Sequence, residues 1–495
     1  MPFLEFPEPT GPFGVAQCDC LWSSPDRKLV VRIFYPTPKP EQKPAEGEGD
    51  KEEAAGDPPS TPKAATEPAP ADSPAREAPA DSPSTSKHPF SWLAKAAKEP
   101  APADSPSGEA LADSPSASKH PFSWLGFGGG GGNEEEKPNP KPKPAPRPAA
   151  WLPETYGART IGYAEAYAKF MWRPGINSAV IGTLGFLPLM HNVQTRTLQD
   201  APLAHPPGGL RPLVYSHGLG GSRSCYSAVC VDLASHGYFV VAPEHTDGSA
   251  CLSVMPDKTV VEHRFVPYKS VIKPQEKRIP GGFTRSLVPH LQPKPLTQYE
   301  FRNGQLLLRV SEMLFVADCI ETLSKGGAAR EGWSHPLPPC LEGELAGAVD
   351  MAKLSCCGHS FGGATCVQAC VRDPRFKACV AHDAWLFPLS DDVASGPLAA
   401  PTLFLNADTF DMLWEEGSRV LCSLLQRSRD KGVEAAAYGV NGTRHQNYSD
   451  FPLLAPQITM SIGVAGSTDP KVALDVVHRC DASFLDHALY PEMRS

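Results

Sequence analysis

The residues best suited to covalent chemistry lie together in the stretch LSCCGHSFGGATC, residues 354–366. Within it, residues 358–362 fit the pattern G-x-S-x-G, which is typical of a serine on a sharp turn between a strand and a helix. The flanking glycines let the strand and the helix approach each other closely. Because an apolar strand precedes Ser360 and a helix rich in small residues follows it, Ser360 is the candidate nucleophile.

A serine nucleophile needs a base and an acid, which follow it in the chain order Ser, Asp, His in this type of site. Four histidines follow Ser360: His382, His445, His478 and His487. Of these, His445 alone lies in a loop directly after a predicted strand, so we predict that it is the base. Asp383 and Asp408 each end a predicted strand, and the pattern by itself leaves both open as the acid.

Acyl transfer also requires donors for the negative charge that develops on the carbonyl oxygen. One donor is expected to be the backbone N–H of the residue after the nucleophile, Phe361. The stretch SHGLGG at 216–221 follows an earlier strand and offers the backbone N–H of Leu219 as the second donor. We therefore predict an oxyanion hole formed by the amides of Leu219 and Phe361.

The cysteines are predicted to be structural. Cys356 and Cys357 lie in the strand before the predicted turn, where small buried side chains are expected, rather than in a setting that favours a thiolate. The sequence contains no CxxC pair or His/Cys cluster with zinc-ligand spacing, so we expect neither a metal nor a cofactor. The N-terminal residues lack the basic and apolar regions of a secretory signal, which favours reduced thiols in the cytoplasm.

Alternating strands and helices are expected to position these groups. Short apolar strands are predicted at 211–216, 238–245, 352–359, 376–383 and 401–408, with one further strand within 433–445. An amphipathic helix is predicted at 227–237 and a long helix at 303–327. Continuous apolar strands separated by helices predict a mostly parallel, doubly wound α/β sheet covered on both faces.

Composition divides the chain into three parts. Residues 37–150 hold 23 of the 55 prolines and few aliphatic residues, which predicts a disordered insert between N-terminal strands in 1–36 and a catalytic body at 151–495. The insert repeats ADSPSxSKHPFSWL with a period of 32 residues. This repeat is either a pair of short linear motifs that bind a protein partner or a local duplication without a function.

Charge and hydropathy exclude several classes of protein. The net charge of −9 and the pI of about 5.9 argue against a nucleic-acid partner. The longest apolar candidate, residues 176–190, is interrupted by glycine and proline and is shorter than the ~18–20 residues of a spanning helix. Pro2 excludes N-terminal myristoylation. We expect a cytoplasmic protein.

Longer motifs resemble one family. The stretch GHSFGGATCVQACVRDPRFKACVAHDAWLFPLSDDV, together with HQNYSDF, is similar to the platelet-activating-factor acetylhydrolase family, which includes a plasma enzyme and its intracellular relative. The stretch YSHGLGGSRSCYSAVCVDLASHGYFVVAPEHTDGSA resembles the oxyanion segment of the same family, and residues 11–36 resemble its first strands. The resemblance covers every part of the chain except the insert.

This resemblance implies an α/β-hydrolase fold and assigns the site. It places the nucleophile on Ser360, the base on His445 and the oxyanion amides on Leu219 and Phe361, and it selects Asp383 over Asp408 as the acid. It implies calcium-independent hydrolysis of short or oxidised sn-2 acyl chains of glycerophospholipids, the activity of a 1-alkyl-2-acetylglycerophosphocholine esterase.

Such enzymes reach lipid surfaces peripherally through apolar elements, for which residues 176–190 and 451–454 are candidates; buried core is the alternative for both segments. Two other functions stay open. The first is a general carboxylesterase or lipase of the same fold. The second is a tethering protein that acts through its repeated SKHPFSWL motifs.

Overall fold

One large sheet organises the part of the chain that the structure describes. The structure is a computed structural model, and it describes residues 6–39, 147–152, 160–172, 182–190, 193–255, 259–265, 297–327, 330–410 and 415–490. Within these ranges the sheet contains ten strands: β1 (Gly14–Ser24), β2 (Arg27–Thr37), β3 (Arg147–Ala150), β4 (Gln194–Gln199), β5 (Arg211–Ser216), β6 (Tyr238–Pro243), β9 (Ser355–His359), β10 (Ala378–His382), β11 (Thr402–Ala407) and β12 (Ala435–Val440). A separate antiparallel pair consists of β7 (Leu252–Val254) and β8 (Val260–Glu262).

The strand order is β12-β11-β10-β9-β5-β6-β2-β1-β4-β3. The six strands from β12 to β6 are parallel to one another. The next strand, β2, pairs antiparallel with both β6 and β1. Every residue of β5, β6, β9, β10 and β11 is buried, as expected for strands that are apolar throughout and covered on both faces. The predicted doubly wound, mostly parallel sheet is confirmed.

Helices pack on both faces of the sheet. The described helices are α1 (Thr160–Trp172), α2 (Leu187–Met190), α3 (Ser227–Ser235), α4 (Gln298–Ser324), α5 (Phe361–Arg372), α6 (Asp391–Ser395), α7 (Glu415–Asp430), α8 (Phe451–Leu454), α9 (Pro456–Ser461) and α10 (Pro470–Leu489). Residues of α4, α5 and α7 share one hydrophobic cluster, and residues of α1, α3 and α10 share the other. The carboxyl ends of the parallel strands therefore meet at one sheet edge between two helical layers.

Two expectations from the sequence are corrected. Residues 147–150, which composition placed in the disordered insert, form the edge strand β3 and pair antiparallel with β4. The helix predicted at 227–237 is not amphipathic, because all nine residues of α3 are buried. It lies between the sheet and α10, so no face of it reaches solvent.

Other predictions are confirmed or lie outside the described residues. Cys356 and Cys357 are fully buried, and all fourteen cysteines are free thiols. Residues 40–146, with the repeat, and 176–181 of the apolar segment lie outside the described residues. No helix in the described part of the chain combines the length and the apolar composition that crossing a bilayer requires.

Candidate active site

Ser360 lies on a strained turn between β9 and α5. Its backbone has φ 57° and ψ −117°, a left-handed conformation that a residue with a side chain rarely adopts. The turn requires glycine on both sides of the serine. A Cβ added to Gly362 would lie 1.9 Å from the carbonyl oxygen of Ser216, and a Cβ added to Gly358 would lie 2.6 Å from the backbone of Gly362. This explains the two glycines of the G-x-S-x-G pattern.

Neighbouring backbone groups hold the serine in this conformation. The Ser360 N–H donates to the carbonyl oxygen of His382 at 2.8 Å, and the Ser360 carbonyl oxygen accepts from the Trp385 N–H at 2.9 Å. His382 is the last residue of β10, the strand beside β9, and Trp385 lies in the loop that follows β10. The turn is therefore fixed by the sheet itself, which compensates for its backbone strain.

The structure brings Ser360, His445 and Asp383 together. The Ser360 Oγ lies 3.0 Å from the His445 Nε2, and the His445 Nδ1 lies 2.5 Å from the Asp383 Oδ2. These contacts assign Nδ1–H as the donor to the carboxylate and leave Nε2 to accept the serine proton. The arrangement can transfer a proton from Ser360 to His445 while Asp383 orients the ring.

Asp383 and Asp408 occupy different environments. Asp383 is fully buried, has φ 41°, and uses its second oxygen to accept from the Ala407 N–H at 2.8 Å. Asp408 is exposed and accepts a hydrogen bond from the backbone N–H of Gly442, in the turn that precedes His445. Of the two candidates for the acid, only Asp383 is bonded to His445.

The loop after β12 presents His445 to the serine. Asn447 fixes this loop, because its side-chain oxygen accepts from the backbone amides of Arg444 and Gly466, both at 2.8 Å. The amide of Gln446 donates to the Val464 carbonyl oxygen at 3.0 Å. The loop is thus tied to the segment that precedes α10, and the His445 side chain remains 13% exposed.

The two predicted oxyanion amides have no competing acceptor. Among the described residues, no hydrogen-bond acceptor is found for the backbone N–H of either Leu219 or Phe361. Phe361 begins α5, so its amide points out of the N-terminus of a helix. Leu219 lies in the turn of residues 218–221, which is closed by a hydrogen bond from the Gly221 N–H to the Gly218 carbonyl oxygen at 3.0 Å.

A hydroxyl group connects this turn to the residue before the serine. The Gly218 N–H donates to the Tyr226 Oη at 3.1 Å, and the Tyr226 Oη lies 2.9 Å from the His359 Nδ1. Burial lowers the pKa of His359 well below its usual value, and the neighbouring His445 adds to this effect. A neutral His359 ring therefore packs beside His445, with 4.5 Å between the ring centroids.

A second serine–histidine–carboxylate set lies at the same sheet edge. The Ser216 Oγ lies 2.9 Å from the His245 Nε2, and the His245 Nδ1 lies 2.6 Å from the Glu312 Oε2. All three residues have no exposed surface. Burial holds the pKa of His245 well below its usual value, so the ring is neutral and joins the serine to the carboxylate.

Among the described residues, three sets of side chains have the proximity that a metal ion would need. Each set has its ligand atoms within 4.8 Å of one another: Cys356, Cys370 and Cys379; Cys357, His382 and Asp481; and His359, Asp383 and His445. The third set contains two members of the candidate triad, so a metal there would compete with Ser360 for His445. The first two sets are fully buried in the cores on the two faces of the sheet.

Sequence reasoning missed two residues that contact the site. The Arg309 guanidinium donates to the carbonyl oxygen of His217 and lies over the Phe361 ring, 4.6 Å from its centroid. Tyr226 forms the bridge described above. Arg309 left a signal in the sequence, because it is a charged residue within the apolar run LLLRV of a predicted helix. Tyr226 left none, because tyrosine is ordinary in a segment that leads into a buried helix.

Comparisons with known proteins show which family this chain is similar to. The sequence model of the family described as platelet-activating factor acetylhydrolase, isoform II, matches residues 149–492. Several curated relatives carry the name platelet-activating factor acetylhydrolase. The protein of Gallus gallus is 28% identical over 299 residues, which cover 58% of this chain and 64% of the relative. The protein of Canis lupus familiaris is 31% identical over 311 residues, which cover 61% of this chain and 60% of the relative.

The matched regions thus span less than two thirds of the length of these relatives.

Among solved structures, a ferulic acid esterase from Streptomyces cinnamoneus has a TM-score of 0.50 and 16% sequence identity, covering 98% of this chain and 93% of that chain. At this identity the likeness concerns the fold alone. Together with the sheet topology, it confirms the α/β-hydrolase fold that the sequence resemblance implied.

Proposed function

Because the chain belongs to the platelet-activating factor acetylhydrolase, isoform II, family, we propose that it is a calcium-independent serine hydrolase that removes short or oxidised sn-2 acyl groups from glycerophospholipids. The observation that carries this proposal is the hydrogen-bonded series from Ser360 through His445 to Asp383 on a strained turn. This series offers a nucleophile, a base and an acid, and the amides of Leu219 and Phe361 have no acceptor among the described residues.

The reaction proceeds in two halves. His445 accepts the Ser360 proton as the Oγ attacks the sn-2 ester carbonyl, and the Leu219 and Phe361 amides stabilise the resulting oxyanion. The protonated His445 then gives its proton to the departing lysophospholipid oxygen, and the acyl group stays on Ser360. In the second half, His445 removes a proton from water, the hydroxide attacks the acyl-enzyme, and Ser360 regains its proton as the short acid leaves.

We also propose that the substrate reaches Ser360 from a lipid surface on which the protein sits peripherally, with the cytoplasm as its compartment. Leu184 is 75% exposed, in a helical turn that packs against α1. The side chain of Phe170 on α1 lies against the turn that holds Leu219, since an added Cβ at Gly220 would be 2.3 Å from the Phe170 Cζ. The other candidate segment, residues 451–454, contributes mainly to the core, because three of its four residues are buried.

The proposal is tested by hydrolysis of phosphatidylcholines with sn-2 chains of two to sixteen carbons, with calcium or with EGTA. We expect a steep decline beyond short chains and no effect of EGTA. A flat chain-length profile would instead identify a general carboxylesterase or lipase. Loss of activity in EGTA that calcium restores would contradict calcium independence.

The lipid-surface proposal has its own test. Leu184→Ser should lower hydrolysis of a short-chain phosphatidylcholine in vesicles but not hydrolysis of soluble p-nitrophenyl acetate. Tyr438→Ser is the matched control, because Tyr438 is 63% exposed on the edge strand β12. Equal effects of both substitutions, or an equal loss on both substrates, would contradict the proposal.

A further inference from the structure

The backbone that precedes the Leu219 amide is held by the side chains of Arg309, Tyr226 and His217. The His217 carbonyl oxygen accepts from the Arg309 guanidinium, and the Gly218 N–H donates to the Tyr226 Oη at 3.1 Å. The Gly218 carbonyl oxygen accepts from the His217 Nδ1 at 2.9 Å. Each of these backbone groups has a partner, and the next amide, that of Leu219, has none among the described residues.

The bond directions around Tyr226 are fixed. Its oxygen accepts from Gly218, so its single proton is directed to the His359 Nδ1 at 2.9 Å. This agrees with a neutral His359, whose pKa burial lowers, because a protonated ring could not accept at Nδ1. Tyr226 is 4% exposed, so no bulk water competes for either bond.

We propose that Tyr226 is a positioning residue for the oxyanion hole. Its hydroxyl joins the loop that carries the Leu219 amide to His359, the residue directly before Ser360. One oxyanion donor is thereby held in register with the nucleophile and with the second donor, Phe361. Tyr226 does not contact the reacting atoms; it acts through Gly218 and His359. This inference rests on the proposed function of the site.

Positioning of this kind affects the transition state more than the bound substrate. The oxyanion forms only after Ser360 attacks, so a displaced Leu219 amide should weaken binding of the tetrahedral state and leave substrate binding unchanged. Displacements of about 1 Å in a catalytic group cost roughly 10- to 100-fold in rate. We expect Tyr226→Phe to lower kcat for a short sn-2 ester by about this factor, with KM within about twofold of the wild type.

The neighbouring Tyr215 supplies a matched control. Tyr215 lies in β5, its ring centroid is 5.2 Å from that of Tyr226, and it is 1% exposed. Its buried hydroxyl has no hydrogen-bond partner among the described residues. Tyr215→Phe therefore removes the same atom from the same environment without breaking a bond, and its kcat should stay within about twofold of the wild type.

A transition-state analogue separates positioning from a general structural effect. A trifluoromethyl ketone with a short acyl-like chain forms a tetrahedral adduct with an active-site serine, and its oxygen occupies the oxyanion hole. Its inhibition constant should rise in Tyr226→Phe by about the same factor as kcat/KM falls. The pH at which kcat/KM is half-maximal should not change, because His445 keeps its bond to Asp383.

Three results would overturn the inference: a kcat of Tyr226→Phe within twofold of the wild type, unchanged affinity for the ketone despite a lower kcat, or an equal loss in Tyr215→Phe. A shifted pH profile with unchanged ketone affinity would also overturn it, because Tyr226 would then act on the base. Ser360→Ala distinguishes the two levels of argument: if that variant retains esterase activity, the proposed function itself has failed.

Discussion

Two serine–histidine–carboxylate relays lie at the carboxyl edge of the same sheet. In the first, the distances are 3.0 Å from Ser360 to His445 and 2.5 Å from His445 to Asp383. In the second, which consists of Ser216, His245 and Glu312, the corresponding distances are 2.9 and 2.6 Å. Hydrogen-bond geometry therefore does not distinguish a candidate triad from a structural network.

Backbone conformation and access distinguish them. Ser360 has φ 57° and directly precedes a helix, whereas Ser216 is the last residue of an ordinary strand and its carbonyl oxygen packs against Gly362. The His445 side chain is 13% exposed and that of His245 is not exposed at all. A serine can attack a substrate only where its backbone projects it from the sheet and where a carbonyl group can reach it. The second relay meets neither condition.

The largest expected effect is a loss of catalysis in Ser360→Ala. Removing the nucleophile of such a triad costs about 10⁴-fold or more in kcat, so hydrolysis of a short-chain phosphatidylcholine should fall to near the background rate. A fluorophosphonate label should no longer attach. Ser216→Ala is the matched control, and we expect it to keep labelling and to retain kcat within about fivefold. Labelling that persists in Ser360→Ala but disappears in Ser216→Ala would mean that Ser216, and not Ser360, is the nucleophile.

The carboxylates should differ almost as strongly. Asp383→Asn removes the acceptor that orients His445, and substitutions of this kind cost up to about 10⁴-fold in kcat. Glu312→Gln keeps an oxygen near His245 and should change kcat by less than about fivefold. Asp408→Asn should also stay within about fivefold, since Asp408 only accepts from the Gly442 amide. A larger loss in Asp408→Asn than in Asp383→Asn would mean that Asp408, and not Asp383, is the acid of the triad.

The second relay should affect stability instead. Ser216→Ala leaves the buried His245 Nε2 without its donor, and an unsatisfied buried polar atom costs about 1–3 kcal/mol. The free energy of unfolding from urea titration should fall by that amount. Ser360→Ala should change it by less than about 0.5 kcal/mol, because His445 is partly exposed and can bind water instead. Equal free energies of unfolding for Ser216→Ala and Ser360→Ala would contradict the structural role assigned to Ser216.

The sequence predicts the fold and the first relay for physical reasons. Strands that are apolar throughout identify a parallel sheet covered on both faces, and G-x-S-x-G identifies the one turn that needs glycine on both sides of a serine. A loop position directly after a strand predicts His445 as the base, and the structure places His445 beside Ser360. Asp383 could not be separated from Asp408 by pattern, because both end strands at the same edge; the family resemblance selected it.

The second relay and Tyr226 were beyond sequence reasoning. Ser216, His245 and Glu312 come from two strand ends and one helix, and only the packing of α4 against β5 and β6 brings them together. The few polar residues of α3 suggest a solvent face, so the sequence predicts an amphipathic helix there. In the structure, Asp232 of that helix instead accepts from the amide and hydroxyl of Thr10, which is distant in the chain. Contacts between distant segments leave no periodicity to detect.

The smallest expected effect concerns pH and the histidine of the second relay. Burial and the nearby Arg309 hold the pKa of His245 well below 6.5, whereas in the unfolded chain the ring titrates near 6.5. The unfolded state therefore binds more protons as the pH falls below 6.5. The stability contributed by neutral His245 is complete above this pH and is lost progressively below it.

His245→Gln removes this one titration and leaves Glu312 and the other buried histidines in place. Between pH 6.5 and 5.5, the free energy of unfolding of the wild type should fall by about 1 kcal/mol more than that of His245→Gln, since one proton per molecule corresponds to about 1.4 kcal/mol per pH unit. Urea titrations of both proteins at pH 7.5, 6.5 and 5.5 measure the difference. Parallel curves at all three pH values would mean that folding does not change the pKa of His245, which contradicts the prediction. A wild type that instead gains stability relative to His245→Gln as the pH falls from 7.5 to 6.5 would mean that His245 is protonated in the folded protein. The second relay would then be a buried ion pair with Glu312 rather than a neutral hydrogen-bonded series.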